Sequence, residues 1–188
     1  MSLRILGIAG SLRRGSYNRA LLRVAADLLP AEVTLETAEI DALPLYDADL
    51  EAAGVPAAVT ALKARVRAAD ALLIATPEYN TSVPGALKNA LDWLSRPPDQ
   101  VLSGKPAAIM GASTGLFGTV RSQQHLRQIA AALNLLVLAK PDVFVPRAAE
   151  KFSAEGELTD ERSREAVRKL VVALRDWTLL LRAAEGGP

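Results

Sequence analysis

The sequence predicts a doubly wound α/β fold, and three observations carry that prediction. Short apolar runs rich in Ile, Leu and Val recur at Leu3 to Ala9, Val33 to Ala38, Ala71 to Thr76, Ala107 to Gly111 and Leu135 to Leu138. The runs are continuous rather than alternating, as strands of a parallel sheet covered on both faces are. Segments of helical period separate them, so strand and helix take turns along the chain.

Each element has its own warrant. Met1 to Gly10 carries one early arginine and an apolar run too short for a signal peptide, so it reads as the first strand. A helix is expected from near Arg19. Pro84 stands where a first helical residue can lack its N–H, and behind it Leu87, Ala90, Leu91 and Leu94 share one face while Lys88, Asn89 and Asp92 point away. Leu126, Ile129, Ala130 and Leu133 repeat that template, as do Val167, Leu170, Val171, Leu174 and Leu181 in a closing helix. Five strands and about five helices result, joined by linker-like stretches at 41–56, 96–106 and 145–158 that are long enough to bind ligands or partners.

Composition narrows the function. A chain of 188 residues, 50% apolar, can bury a substantial core, and one domain over 1–188 is expected. Lys and Arg total 22 against 21 acidic residues, so a net charge of +1 provides no electrostatic case for nucleic acid or a membrane surface. No apolar stretch reaches the ~18 to 20 residues that span a bilayer. A soluble, cytoplasmic protein acting on small molecules is the expectation. With no cysteine there is no disulfide, thiolate nucleophile or Cys-based metal site, so any redox chemistry must come from a cofactor.

Three loops follow strands and precede helices, the position at which open α/β sheets bind ligands. The first, Gly10-Ser-Leu-Arg-Arg-Gly-Ser-Tyr-Asn18, offers backbone N–H groups, the hydroxyls of Ser11 and Ser16, and the charge of Arg13 to a phosphate. Asn18 serves the same purpose or caps the helix, and capping alone would also account for Ser16. Neither a Gly-x-Gly-x-x-Gly motif nor a Walker loop is present, so a terminal monophosphate suits this loop better than a dinucleotide or ATP. The second loop, Pro77-Glu-Tyr-Asn-Thr-Ser-Val-Pro84, is stiffened by proline at both ends and can present amides and the wall of Tyr79 to a flat ring. An ordinary polar turn is its plainer reading. In the third, Gly111-Ala-Ser-Thr-Gly-Leu-Phe-Gly-Thr119, small residues permit close backbone approach, unless it is merely a flexible surface loop.

Together these loops resemble those of the NADPH-dependent FMN reductase family, including its chromate and quinone reductases. The likeness extends through Gly85-Ala-Leu-Lys-Asn-Ala-Leu-Asp-Trp93, Arg121-Ser-Gln-Gln-His-Leu-Arg-Gln128, Lys140-Pro-Asp-Val-Phe144 and Leu158-Thr-Asp-Glu161. The resemblance implies a flavodoxin-like fold with a five-stranded parallel sheet of order 2-1-3-4-5 and noncovalent FMN. Ser11, Arg13, Ser16, Tyr17 and Asn18 would then lie at the phosphate. Pro77, Glu78, Tyr79, Asn80 and Thr81 would flank the N5 side of the ring, and Ser113, Thr114 and Gly115 its pyrimidine edge. One departure is Thr119, where the family often has a second glycine.

The resemblance also implies ping-pong reduction, with NADPH or NADH as hydride donor and a quinone, free flavin or chromate as acceptor, in a homodimer or homotetramer. No side-chain acid or nucleophile is required, because the flavin carries the chemistry. A flavodoxin-type carrier or flavin-binding sensor is the alternative, though such carriers are usually strongly acidic. Arg14 is a candidate for the extra phosphate of NADPH. His125, the only histidine, has no companion for metal ligation and suits a subunit contact or a solvated face. Glu78 is expected to shape its loop rather than act as an acid, and Trp93 and Trp177 to be core or interface residues.

Overall fold

The computed structural model describes residues 2–185. Its parallel sheet has the order β2-β1-β3-β4-β5, built from β1 (Leu3–Ala9), β2 (Val33–Ala38), β3 (Ala71–Ala75), β4 (Pro106–Ala112) and β5 (Leu136–Val137), the order that the resemblance implies. Sequence and burial agree at the centre of the sheet. Every residue of β3 and β4 is buried, whereas the edge strand β2 exposes Thr34, Glu36 and Thr37. Register is pinned at the centre by Ile5 opposite Ala71 and Leu72 opposite Ala107.

Helices cover both faces. On one, α1 (Tyr17–Asp27) and α7 (Glu161–Glu185) close over Leu3, Ile5, Leu73 and Met110. On the other, α3 (Ala57–Ala68), α4 (Gly85–Leu94) and α5 (Val120–Ala132) close over Leu6, Ile8, Leu72, Ile74 and Ile109. Alternate residues of each central strand therefore enter opposite cores, which is why these strands are apolar without a break.

Three features depart from the sequence reading. A sixth strand, β6 (Val143–Val145), pairs with the carboxyl half of β4 while β5 pairs with its amino half. The seven residues of β4 leave room for two partners, and Pro141, which has no N–H to give a ladder, lies in the excursion between them. Two short helices, α2 (Ala48–Ala53) and α6 (Ala148–Lys151), occupy stretches expected to be linkers. Helix α1 also starts two residues earlier than expected, at Tyr17. Trp93 is buried and donates its indole N–H to Pro44 O at 2.8 Å, and Trp177 donates to Leu136 O at 2.9 Å. Both indoles therefore tie helices to neighbouring chain.

Candidate functional site

The carboxyl ends of β1, β3 and β4 deliver the three loops to one cleft of about 150 Å³. Ser11, Arg13, Ser16, Tyr17 and Asn18 line it from the first loop, Pro77, Glu78 and Tyr79 from the second, and Ser113 and Thr114 from the third, joined by Ala112. Asn80, Thr81 and Gly115 are not in that lining. The volume falls well below the ~300–1,000 Å³ of pockets that engulf small molecules. A ligand here keeps one face uncovered.

Ser16, not Asn18, caps α1. Its Oγ accepts from the N–H groups of Asn18 and Arg19 at 3.2 and 3.4 Å, which leaves its own proton free to donate. Asn18 is 2% exposed and clamps the third loop: its Nδ2 donates to Ala112 O and its Oδ1 accepts from Ala112 N, both at 2.9 Å. The amide that was a candidate phosphate ligand is thus committed to joining α1 to the end of β4. Tyr17 packs on Phe152 with ring centroids 5.1 Å apart, so its ring is a wall of the cleft with its back to the core.

In the second loop, Asn80 and Thr81 have φ of 48° and 64°, and residues 79 and 82 exchange backbone hydrogen bonds at 3.0 and 3.1 Å. Two consecutive left-handed residues make a tight reversal of the I′ kind at the rim of the cleft. Tyr79 leans back, its hydroxyl 3.3 Å from Ser11 Oγ, and so links the first and second loops. His125 is exposed on α5, with Nδ1 2.9 Å from Ser82 Oγ. That contact braces the same turn and could not be read from spacing.

Glu78 makes the link that sequence reasoning missed. Its Oε2 accepts from the N–H groups of Arg121 and Ser122 at 3.0 and 3.1 Å, capping α5 from another loop. Arg121 in turn stacks over Phe117, 4.9 Å from the ring centroid. The third loop is also fastened beneath, where Ala148 N donates to Ser113 O at 2.9 Å and Arg147 N to Gly115 O at 3.0 Å. At the departure from the family pattern, the Thr119 side chain lies against Gly111. A β-carbon on Gly111 would sit 2.1 Å from Thr119 Oγ1 and 2.3 Å from Thr76 O, so only glycine fits there.

A larger cavity of about 280 Å³ lies at the opposite end of the sheet, beside Asp70, Lys105 and Arg182. Its charges are already answered: Arg182 pairs with Asp70, and Lys105 Nζ donates to Ala69 O at 2.6 Å. Burial also lowers the Lys105 pKa, which works against a fixed cation there. The cleft at the strand ends, with unspent donors, is the better candidate.

The sequence model of the NADPH-dependent FMN reductase family matches residues 3–150. The chain belongs to that family. Among similar proteins in it, an NAD(P)H-dependent FMN reductase of Pseudomonas aeruginosa is 51% identical over 180 residues, covering 96% of this chain and 97% of that one. A 2-hydroxy-1,4-benzoquinone reductase of a Burkholderia species is 39% identical, covering 94% and 97%. Of solved structures, the flavoenzyme NAD(P)H:(acceptor) oxidoreductase FerB of Paracoccus denitrificans superposes with a TM-score of 0.86 at 35% identity, over 95% of this chain and 98% of that one.

The cleft of this NADPH-dependent FMN reductase family member meets the chemical needs of FMN. A phosphomonoester requires several donors and positive charge, and the N–H groups of residues 14–17 find no acceptor among the described residues. Arg13 likewise has no carboxylate partner among them. A flavin ring requires amide donors at its edge, and the N–H groups of Glu78, Asn80, Thr81 and Thr114 are equally uncommitted.

Proposed function

We propose that this protein is an FMN-dependent NAD(P)H oxidoreductase of the FMN and quinone reductase type, acting as one flavodoxin-like domain. The observation that carries this reading is the convergence of three donor-rich loops, with Arg13 unpaired among the described residues, on one shallow cleft at the strand ends. Bound there, FMN would supply hydride acceptance from NAD(P)H and delivery of electrons to an acceptor.

The chain's own residues bind and orient. Arg13, Ser11, Ser16 and the amides of the first turn of α1 hold the phosphate, while Asn18 keeps that turn fixed to β4. The backbone of Pro77 to Thr81 presents donors to the ring edge, and Ser113 to Gly115 face its other end. No acid or base is required of Glu78, whose carboxylate is spent on α5. The uncovered face accounts for small-molecule acceptors without demanding a particular one, and the quinone reductase among the relatives supports quinones. Free flavin and chromate are further acceptors of this class.

The rim of the cleft favours assembly as a homodimer or homotetramer. Tyr79 is 51% exposed, Phe117 60% and Leu116 64%, an apolar group beside the site that a second copy would cover. No helix is long and apolar enough to cross a membrane among the described residues. The cytoplasm, where NAD(P)H is supplied, is the compartment we propose.

One experiment tests the core of this reading. Purified protein is loaded with FMN and titrated anaerobically with NADPH while the visible absorbance of the flavin is followed. Bleaching is expected. Protein that refuses FMN would end the reading, and yellow protein that neither NADPH nor NADH bleaches would return it to an electron carrier.

A further inference from the structure

A second cavity, of about 200 Å³, lies on the far side of the first loop, between α1 and the carboxyl end of β2. Consecutive residues divide the loop: Arg13 lines the cleft and Arg14 lines the second cavity. Arg19, Arg23, Thr37 and Glu39 line it as well. Three guanidinium groups around one small space are unexpected in a chain whose net charge is only +1.

The electrostatics decide what this space accepts. Glu39 would repel an anion if its carboxylate were free, yet Arg19 holds both its oxygens, one at 3.0 Å, and also donates through Nε to Ser11 O at 3.3 Å. That pair is neutral and fastens the end of β2 to the first loop. Arg14 and Arg23 have no carboxylate partner among the described residues, so the cavity keeps two positive charges. The Arg23 guanidinium also lies against Gly156, where a β-carbon would come within 2.8 Å of it, so the loop before α7 limits its freedom. Two arginine forks beside the Thr37 hydroxyl suit a phosphomonoester, which carries ≈ −1.5 to −2 charge at pH 7.

We propose that this cavity is a second phosphate site, separate from that of FMN, and that it takes the 2′-phosphate of NADPH. The proposal rests on the reading of NAD(P)H as hydride donor. The donors of the first loop are taken by the FMN phosphate, so a 2′-phosphate on the hydride donor needs separate cations, and Arg14 and Arg23, with Glu39 neutralised by Arg19, supply them.

The test uses the full chain loaded with FMN, as wild type and as the double variant Arg14→Ala/Arg23→Ala, with Arg14→Gln/Arg23→Gln as a second pair should the first fail to fold. Calorimetric titration compares adenosine 2′,5′-bisphosphate with 5′-AMP. The bisphosphate should bind the wild type and bind the variant about tenfold or more weakly, while 5′-AMP distinguishes the two proteins little. In turnover, kcat/KM for NADPH should fall by at least about tenfold and that for NADH should change little. Equal bisphosphate affinity in wild type and variant would overturn the proposal, as would equal loss for both nucleotides. Inorganic phosphate that displaces the bisphosphate as well as 2′-AMP does would reduce the cavity to a general anion site, and would overturn it too. Should the wild type oxidise neither nucleotide, the oxidoreductase reading fails, and the bisphosphate titration separately decides whether the cavity recognises a 2′-phosphate.

Discussion

The carboxylate of Glu78 caps helix α5 across 44 residues of sequence, accepting from Ser122 N at 3.1 Å as well as from Arg121 N at 3.0 Å. A charge held at a helix amino terminus, with its side chain 11% exposed, stabilises that helix and ties the second loop of the cleft to the third. Glu78→Ala should therefore lower stability by about 1–2 kcal/mol. For a chain of this length that is a fall in Tm of roughly 2–4 °C per kcal/mol. FMN affinity should fall with it, and Glu78→Gln, which keeps an acceptor but not the charge, should lose less of both. Melting curves and a flavin fluorescence titration provide the check; an unchanged Tm in Glu78→Ala would remove the capping role.

Asn18 offers a sharper separation of structure from ligand binding. Its amide satisfies the buried N–H and C=O of Ala112, and truncation leaves both without a partner. Asn18→Ala should cost about 2–3 kcal/mol in FMN-free protein, the scale of unsatisfied buried polar groups. Urea unfolding without flavin measures this. A variant as stable as wild type without FMN, yet weak in binding it, would make Asn18 a phosphate ligand instead of a clamp.

What could be read from the residues, and what could not, follows from how far apart the partners lie. Strands β1, β3 and β4 are legible because burial on both faces leaves them continuously apolar. The three loops are legible because their glycines, prolines and hydroxyl residues are local signals. Strand β6 is three residues long and follows a proline, so Val143 to Val145 carries no periodicity to detect. The Glu78 cap, the Ser82–His125 contact and the pairing of Arg19 with Glu39 all join residues that only the strand order brings together. Polarity marked each of them as an exposed or loop group; only the sheet reveals the partner.

Gly111 and Thr119 form a matched pair in which the missing β-carbon of one leaves space for the hydroxyl of the other. Gln123 Nε2 donates to that hydroxyl at 3.0 Å, so the threonine is anchored rather than merely tolerated. Gly111→Ala should cost about 3 kcal/mol or more, beyond the usual 1–3 kcal/mol of overpacking, because backbone as well as side chain must move. Adding Thr119→Gly should recover only part of the loss, since the clash with Thr76 O at 2.3 Å remains. Full recovery in denaturant unfolding of the double variant would place the whole conflict at Thr119.

Asp160 gives the protein an acid-sensitive fastening. Its carboxylate accepts from Ser163 N at 3.0 Å at the start of α7 and bonds the Ser163 hydroxyl, with Lys151 Nζ at 3.4 Å. The Ser163 hydroxyl contact first, then the Ser163 amide and Lys151, hold its pKa below the ordinary value. A carboxylate depressed in the folded state contributes stability that is fully present above its unfolded pKa of about 3.9 and is lost as pH falls through the lower folded value. Asp160→Asn should therefore be less stable than wild type at neutral pH, with the two converging on acidification below about pH 4. Chemical denaturation across that range gives the answer; a difference independent of pH would show that the charge of Asp160 plays no part.

Thr81 carries the least favourable backbone of the candidate site, a β-branched residue at φ 64°. Left-handed geometry costs about 1–2 kcal/mol for such a residue, whereas asparagine tolerates it through local hydrogen bonding. Thr81 recovers part of this through its hydroxyl, which donates to Asn80 O at 2.6 Å. Thr81→Asn should accordingly raise stability by about 0.5–1 kcal/mol while leaving the turn, its exchange of hydrogen bonds between residues 79 and 82, and FMN affinity in place. Asn80→Val puts a second β-branched residue into the same conformation and should lower stability by a comparable or larger amount. The pair is decisive because the two substitutions touch neighbouring, exposed positions and differ in backbone preference. If both shift Tm in the same direction, side-chain contacts and not the strained turn control this loop.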